Sequence, residues 1–395
     1  MSIFAPQILT CKGFMITSRT EKYSLLRIII ILAIYLLLPA GLLAAGEQPG
    51  LYPSSDTLHH AEAGDSHPKK GFNAGEMILE HVVDNHEWHI ADIGSFHLTV
   101  PLPVILWYDG KLYTFCSSKF HNEYHAFQGF KLDHSGPHKG KIVRANEAEN
   151  APGMPGVYDF SITKTVFGIF LSVALMLLVF LTIAKNYRKN KGKAPKGLQS
   201  LLEPLILFIR DDIAKSSIGE KKYEKFMPFL LTVFFFIFFN NLLGLIPFFP
   251  GGANVTGNIS VTLVLAVFTF LITSFSGNKQ YWLHIVNTPG VPWWLKFPLP
   301  LMPVVEIIGI ITKPFVLMVR LFANITAGHI IVLGFVSLIF IFGAISGLLG
   351  YSVSVVSVTF MLFMWLLELL VAVIQAYVFT LLSALYFGLA TEEHH

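Results

Sequence analysis

Two very long apolar stretches, residues 303–347 and 353–390, restrict the possible folds of this chain more than any other feature. About 20 apolar residues suffice for a helix to cross the ~30 Å hydrocarbon core of a bilayer. Both stretches exceed that length, which predicts strongly tilted helices. Shorter apolar stretches at 166–184, 227–247 and 258–275 bring the expected spans to five. Inside lipid every backbone polar group needs an internal partner, so spans of this kind are helical. With 53% hydrophobic and 13% charged residues among 395, the composition suits the same class. The net charge of +3 gives no basis for a nucleic-acid partner. The expected architecture is mainly α: a polytopic membrane unit over 158–395, preceded by a small α+β extramembrane domain.

The first long stretch contains polar residues that such surroundings make costly. Lys313-Pro314 leads to Arg320-Leu321-Phe322-Ala323-Asn324 and then to Gly328-His329. An ionisable group at membrane depth usually faces a cavity or a partner. Arginine does not give up its proton, so Arg320 is a fixed charge and cannot relay protons. At ~100° per residue, Asn324, Lys313 and Glu306 share the Arg320 face of a helix, whereas His329 falls opposite. An arginine snorkelling to an interface would suit a helix end better than this position. On the second stretch Glu368 and Gln375 are seven residues apart and share a face. In a secondary transporter Arg320 would bind an anionic substrate. That reading predicts pseudo-repeated halves with discontinuous helices, and the sequence contains no such repeat.

The pattern Lys-Pro, five residues, Arg-Leu-Phe-Ala-Asn, three residues, Gly-His resembles the signature of subunit a of the F-type ATP synthase membrane sector, over roughly residues 155–393. The resemblance implies a stator against which a ring of c subunits turns, with the two long helices lying almost in the membrane plane against that ring. It implies further partners, the b-subunit stator stalk and the remaining synthase subunits, besides the lipid bilayer. It implies no cofactor or metal, and no catalytic activity of the chain by itself. Arg320 would separate two aqueous half-channels and stabilise the ring carboxylate as it passes. Asn258, Asn324, His329 and Glu368 would form the outer path, with Glu306 at the inner one and Gln375 opposite Arg320. The acid on the last helix and the histidine after Gly328 match the order in mitochondrial members; some bacterial members reverse it. Either order gives an imidazole–carboxylate pair able to pass a proton. Asn258 stands where some bacterial relatives have an aspartate, and an N-cap role for it is equally open. Whether the ion is H⁺ or Na⁺ is left open by these residues.

The N-terminal part has a different character. Residues 1–46 combine a basic lead, an apolar core at 28–38 and small residues at Ala40, Gly41, Ala44 and Ala45, as expected of a secretory signal. Residues 47–68 read as a linker within an outer domain spanning 47–157. Helical spacing marks 74–85. Asp109-Gly110, between two β-branched and aromatic runs, predicts a hairpin. Eleven of the fifteen histidines lie in this domain. His121 and His125 have the spacing of a metal pair, but no complete ligand set accompanies them, so solvated histidines are preferred. Two cysteines, Cys11 and Cys116, make no disulfide framework. A basic run from Lys185 to Lys196 marks the cytoplasmic end of the first span. The domain before it is therefore expected outside, in the periplasm of a bacterial inner membrane, with the C-terminus cytoplasmic. Residues 198–213 read as an amphipathic surface helix, and 276–297, with three tryptophans, as an interfacial loop.

Overall fold

The computed structural model describes residues 75, 84–93, 96–121, 126–133, 140–146, 156–189, 194–246, 251–286 and 301–392. The expected signal and linker lie outside these residues, as do Trp293, Trp294 and nearly all of the helix expected at 74–85.

Short antiparallel strands build the N-terminal domain. β1 (Glu87–Ile93) pairs with β2 (Phe96–Pro101). β3 (Pro103–Tyr108) lies between β4 (Lys111–Cys116) and β8 (Tyr158–Asp159). β5 (Ala126–Phe127), β6 (Phe130–Leu132) and β7 (Ile142–Arg144) form a third small sheet. The β3–β4 hairpin turns at Asp109-Gly110, where φ is 47° and 72°. Two consecutive left-handed residues make the turn whose twist matches a hairpin, and glycine takes the second position without steric cost. The domain's core is Val104, Leu106, Phe120, Phe130 and Ile142.

Five helices are long and apolar enough to cross a membrane. α1 (Lys164–Lys189) follows the last strand. α2 (Leu198–Phe208) is short, exposes Leu198 and Leu201, and runs into a π-helical turn at Ile209–Lys215. α3 (Tyr223–Leu245) is buried on nearly every side and carries the phenylalanine-rich centre of the core. α4 (Ile259–Ser276) is capped by Asn258, whose side-chain oxygen accepts from Ser260 N at 3.0 Å. α5 (Lys279–Val286) is an eight-residue helix within the expected interfacial loop. α6 (Leu301–Ile345) and α7 (Gly347–Thr391) each run 45 residues, about 68 Å at 1.5 Å per residue, joined by Ser346 alone. Both are continuous, and the start of α7 lies six residues before the apolar stretch that predicted it. In the added segment the Ser352 hydroxyl bonds back to Leu348 O at 3.0 Å, which satisfies it within the helix.

The small domain is tied to the first span. Lys164 N donates to Asn85 O at 2.9 Å, and Thr165 N donates to Asp84 Oδ1 at 3.0 Å, so Asp84 satisfies an orphan donor of α1. Trp88 packs edge-on against Phe167 at 5.5 Å. His86 Nε2 meets Asp159 Oδ2 at 2.7 Å, which fastens the first strand segment to the last.

Candidate functional site

The expected imidazole–carboxylate pair forms. His329 Nδ1 stands 2.8 Å from Glu368 Oε1 and 3.1 Å from the Ile325 carbonyl oxygen. Glu368 is only 8% exposed and His329 is half-buried. A carboxylate is seldom this enclosed without a partner. Gly328 makes the approach possible: a Cβ there would lie 2.8 Å from Glu368 Oε1 and 3.1 Å from its Cδ. A side chain here would force the Glu368 carboxylate to move aside.

Buried polar residues on neighbouring helices brace the pair. Asn241 of α3 donates from Nδ2 to Ala372 O on α7 at 3.1 Å and accepts from Thr256 Oγ1 at 2.6 Å. Ala372 lies one turn beyond Glu368, so the bond fixes α7 beside the pair. Asn240, its neighbour, bonds within its own helix to Phe236 O. Of the two asparagines, Asn241 is therefore the one that joins helices. Trp365 Nε1 adds a bond to Leu245 O at 3.2 Å.

Arg320 lies elsewhere. It is exposed, as is Asn324; Val304, Ile308, Ile311, Phe315 and Val319 of α6 are exposed too, on the other side of the helix by their spacing. Among the described residues no hydrogen bond or ion pair holds its guanidinium. Gln375 is buried, and no hydrogen bond joins it to Arg320. Glu306 and Lys313 are half-buried. Lys313 Nζ sits 5.6 Å from the Tyr386 ring centroid. A cleft lined by Thr269, Thr273, Tyr281, Lys313 and Tyr386 opens there. Along α6, Lys313 and His329 are about 24 Å apart, with Arg320 about 10 Å from the first and 14 Å from the second.

The sequence placed Arg320, Asn324, His329, Glu368 and Gln375 on the correct helices. Of the four residues expected on one face of α6, Arg320 and Asn324 are exposed, whereas Glu306 and Lys313 are half-buried and Lys313 lies against Tyr386 of α7; His329 meets Glu368 of α7. Asn258 serves α4 as its N-cap, which engages its carbonyl oxygen. The roles of Gly328, Thr256 and Tyr386 were not foreseen. Gly328 had a visible signal, since it directly precedes the histidine on the helix that must approach Glu368. Of the histidine pair with metal-ligand spacing, His125 and the side chain of His121 lie outside the described residues.

These features define a multi-pass helical membrane protein with an acid–imidazole pair between two over-long helices and an exposed arginine farther along one of them. Residues 166–388 match the family described as ATP synthase A chain, and residues 77–160 match a domain of unknown function, DUF8433. The chain is 46% identical over 248 residues to ATP synthase subunit a of Chloroherpeton thalassium, covering 60% of this chain and 70% of that relative. It is 37% identical over 361 residues to ATP synthase subunit a 2 of Chlorobium luteolum, covering 89% and 85%. With the Myxococcus xanthus subunit a, identity is 44% over 255 residues, covering 62% and 78%. The chain belongs to the ATP synthase subunit a family.

Proposed function

We propose that the chain is the proton-conducting stator of a rotary ATP synthase, offering two half-channels to a ring of c subunits. The observation that carries this reading is the order of groups along α6. A permanent cation on an uncovered face stands between the His329–Glu368 pair on one side and the Lys313–Tyr386 cleft on the other. A proton entering by Asn324, His329 and Glu368 neutralises a ring carboxylate. The neutral acid then crosses lipid, because desolvating it costs far less than desolvating its anion. On return it loses the proton toward the inner cleft and Glu306. Arg320 stabilises the anion in transit and, holding its own proton, blocks a direct leak. Gln375 lines the passage from the α7 side. Asn258 holds the outer end of α4, and its amide nitrogen is left for water at the entrance.

If each of the five long helices crosses once, the N-terminal domain and the end of α7 face opposite sides. With the basic run after α1 on the inner face, the N-terminal domain is periplasmic and the C-terminus cytoplasmic. The uncovered stripes of α6 and α7 are the surface for the c-ring, and the b-subunit stalk and remaining subunits complete the complex. At ~100 mV each proton supplies ~2.3 kcal/mol, so several must pass per ATP. The test is ATP-driven acidification of inverted vesicles. Arg320→Ala should abolish it with the complex assembled, and Arg320→Lys should fail too, since lysine loses its proton more readily when buried. Normal pumping by the assembled Arg320→Ala complex would end this reading.

A further inference from the structure

The β4–β3–β8 sheet is apolar on both faces, and only one of them is covered. Val104 and Leu106 turn inward, at 1% and 0% exposure, and form the domain core. The opposite face begins with Leu112, Trp107 and Tyr158, which the strand register places directly abreast across all three strands. Cross-strand partners of this kind have Cβ atoms about 5 Å apart, so the three side chains form one continuous row. They are 58%, 44% and 53% exposed. Phe160, two residues beyond Tyr158 and 46% exposed, continues the face beside Ile105, whose carbonyl accepts its N–H at 2.8 Å. Ile162 extends it, donating to Pro103 O at 3.0 Å. Single exposed apolar residues are ordinary. A three-strand apolar row bearing no charge marks an interaction surface.

We propose that this face rests on the membrane itself, with the strands running along the headgroup layer rather than away from it. Continuity supports the bilayer as occupant. Ile162 lies two residues before α1, whose lipid-facing side exposes Phe170, Leu178 and Leu181. The sheet thus adjoins the start of a helix long and apolar enough to cross the bilayer. The domain is also held at the start of α1 through Asp84, Asn85 and the Trp88–Phe167 contact. The residue types fit the same place: tryptophan and tyrosine, with apolar rings and a polar tip, concentrate at membrane–water interfaces. The domain thereby has two attachments, a covalent one through α1 and an interfacial one through the sheet.

The test uses the assembled complex in phosphatidylcholine–phosphatidylglycerol vesicles. Nitroxide labels are placed at Leu112→Cys and Tyr158→Cys, with Cys11 and Cys116 replaced by serine. Both labels should collide more with oxygen, which partitions into lipid, than with a water-soluble nickel chelate. Lys111→Cys at the turn should show the reverse. As a check that keeps the row apolar and aromatic, Trp107→Phe should lower the fraction of tryptophan emission that brominated lipids quench. Preferential collision with the nickel chelate would place the face in water and overturn the proposal. Shielding from both reagents would overturn it equally, by pointing to a protein partner. An unchanged quenchable fraction in Trp107→Phe would do the same.

Discussion

Gly328→Ala tests whether close approach at the His329–Glu368 pair is what the site requires. The added methyl would stand 2.8 Å from Glu368 Oε1. Ordinary contact begins near 3.4 Å, so the oxygen must retreat by about 0.6 Å. That retreat draws the carboxylate from its 2.8 Å contact with His329 unless it swings aside or the helices part. Overpacking of this size typically costs ~1–3 kcal/mol, against a gain of roughly 1 kcal/mol from replacing a helical glycine by alanine. A hydrogen bond to a charged group is worth about 1.5–3 kcal/mol. At 1.36 kcal/mol per decade, proton transfer through the pair should slow by roughly 10- to 150-fold. The assay is the initial rate of ATP-driven quenching of a pH-sensitive dye in inverted vesicles, normalised to assembled complex. Gly309→Ala and Gly334→Ala are the controls, because a Cβ at either position meets nothing within 4 Å. If Gly328→Ala pumps as well as those two, close packing on the carboxylate is not what the site needs.

Three further outcomes follow from the geometry. His329→Ala and Glu368→Ala should each slow pumping, and the double variant should lose less than the sum of the two losses; additive losses would place them in separate steps. Asn241→Leu leaves the Ala372 carbonyl and the Thr256 hydroxyl without their partner in a buried position. It should destabilise the detergent-solubilised protein by about 1–3 kcal/mol in thermal unfolding, and an unchanged midpoint would count against Asn241 as the tie between α3 and α7. The His86–Asp159 clamp should depend on pH. Burial pushes the His86 pKa down from its ordinary 6.5, but the Asp159 carboxylate, with Asp84 and Glu87, outweighs it and leaves the value raised. Burial pushes Asp159 up from 3.8, yet His86 and Ser161 leave it lowered. The histidine's contribution is full below its unfolded pKa and lost as pH rises through its folded value; the aspartate's is full above its unfolded pKa and lost as pH falls through its folded value. Hydrogen-exchange protection at Lys164 and Thr165 should therefore peak between about pH 4 and 6.5, with a flatter profile in His86→Gln.

The membrane architecture was legible because its signal is coarse: apolar length alone identified five helices to within a few residues at most ends. α7 began earlier than expected since its first six residues include Gly347, Gly350 and Ser352, which depress local hydropathy without breaking the helix. The site was legible wherever a polar residue interrupted an apolar run, as at Arg320, His329 and Glu368. It was not legible where the decisive fact was a distance between segments remote in sequence. Thr256 reaches Asn241 across 15 residues, and Asn241 reaches Ala372 across 131. The small domain behaved similarly. Its hairpin was written in Asp109-Gly110, whereas the His86–Asp159 clamp joins residues 73 apart.

The α6–α7 hairpin has a mechanical consequence. The C-terminal end of α7 is gripped firmly, its Thr391 carbonyl receiving both Lys222 Nζ at 2.7 Å and Asn278 Nδ2 at 3.0 Å. Burial along α7 is concentrated from Glu368 onward, with Gly350 and Ser357 the buried residues of its first half. The hairpin is therefore a cantilever, clamped at one end and loaded along an overhanging arm. The bending compliance of such a beam grows with the cube of its free length, so a sideways push near Ser346 deflects it far more than the same push near Gln375. The Trp365–Leu245 bond, the tie nearest the overhang, sets the fulcrum, and removing it would lengthen the arm. The bending moment in such a beam is greatest at its support, so a sideways load on the overhang strains α7 most around Trp365, within one turn of Glu368.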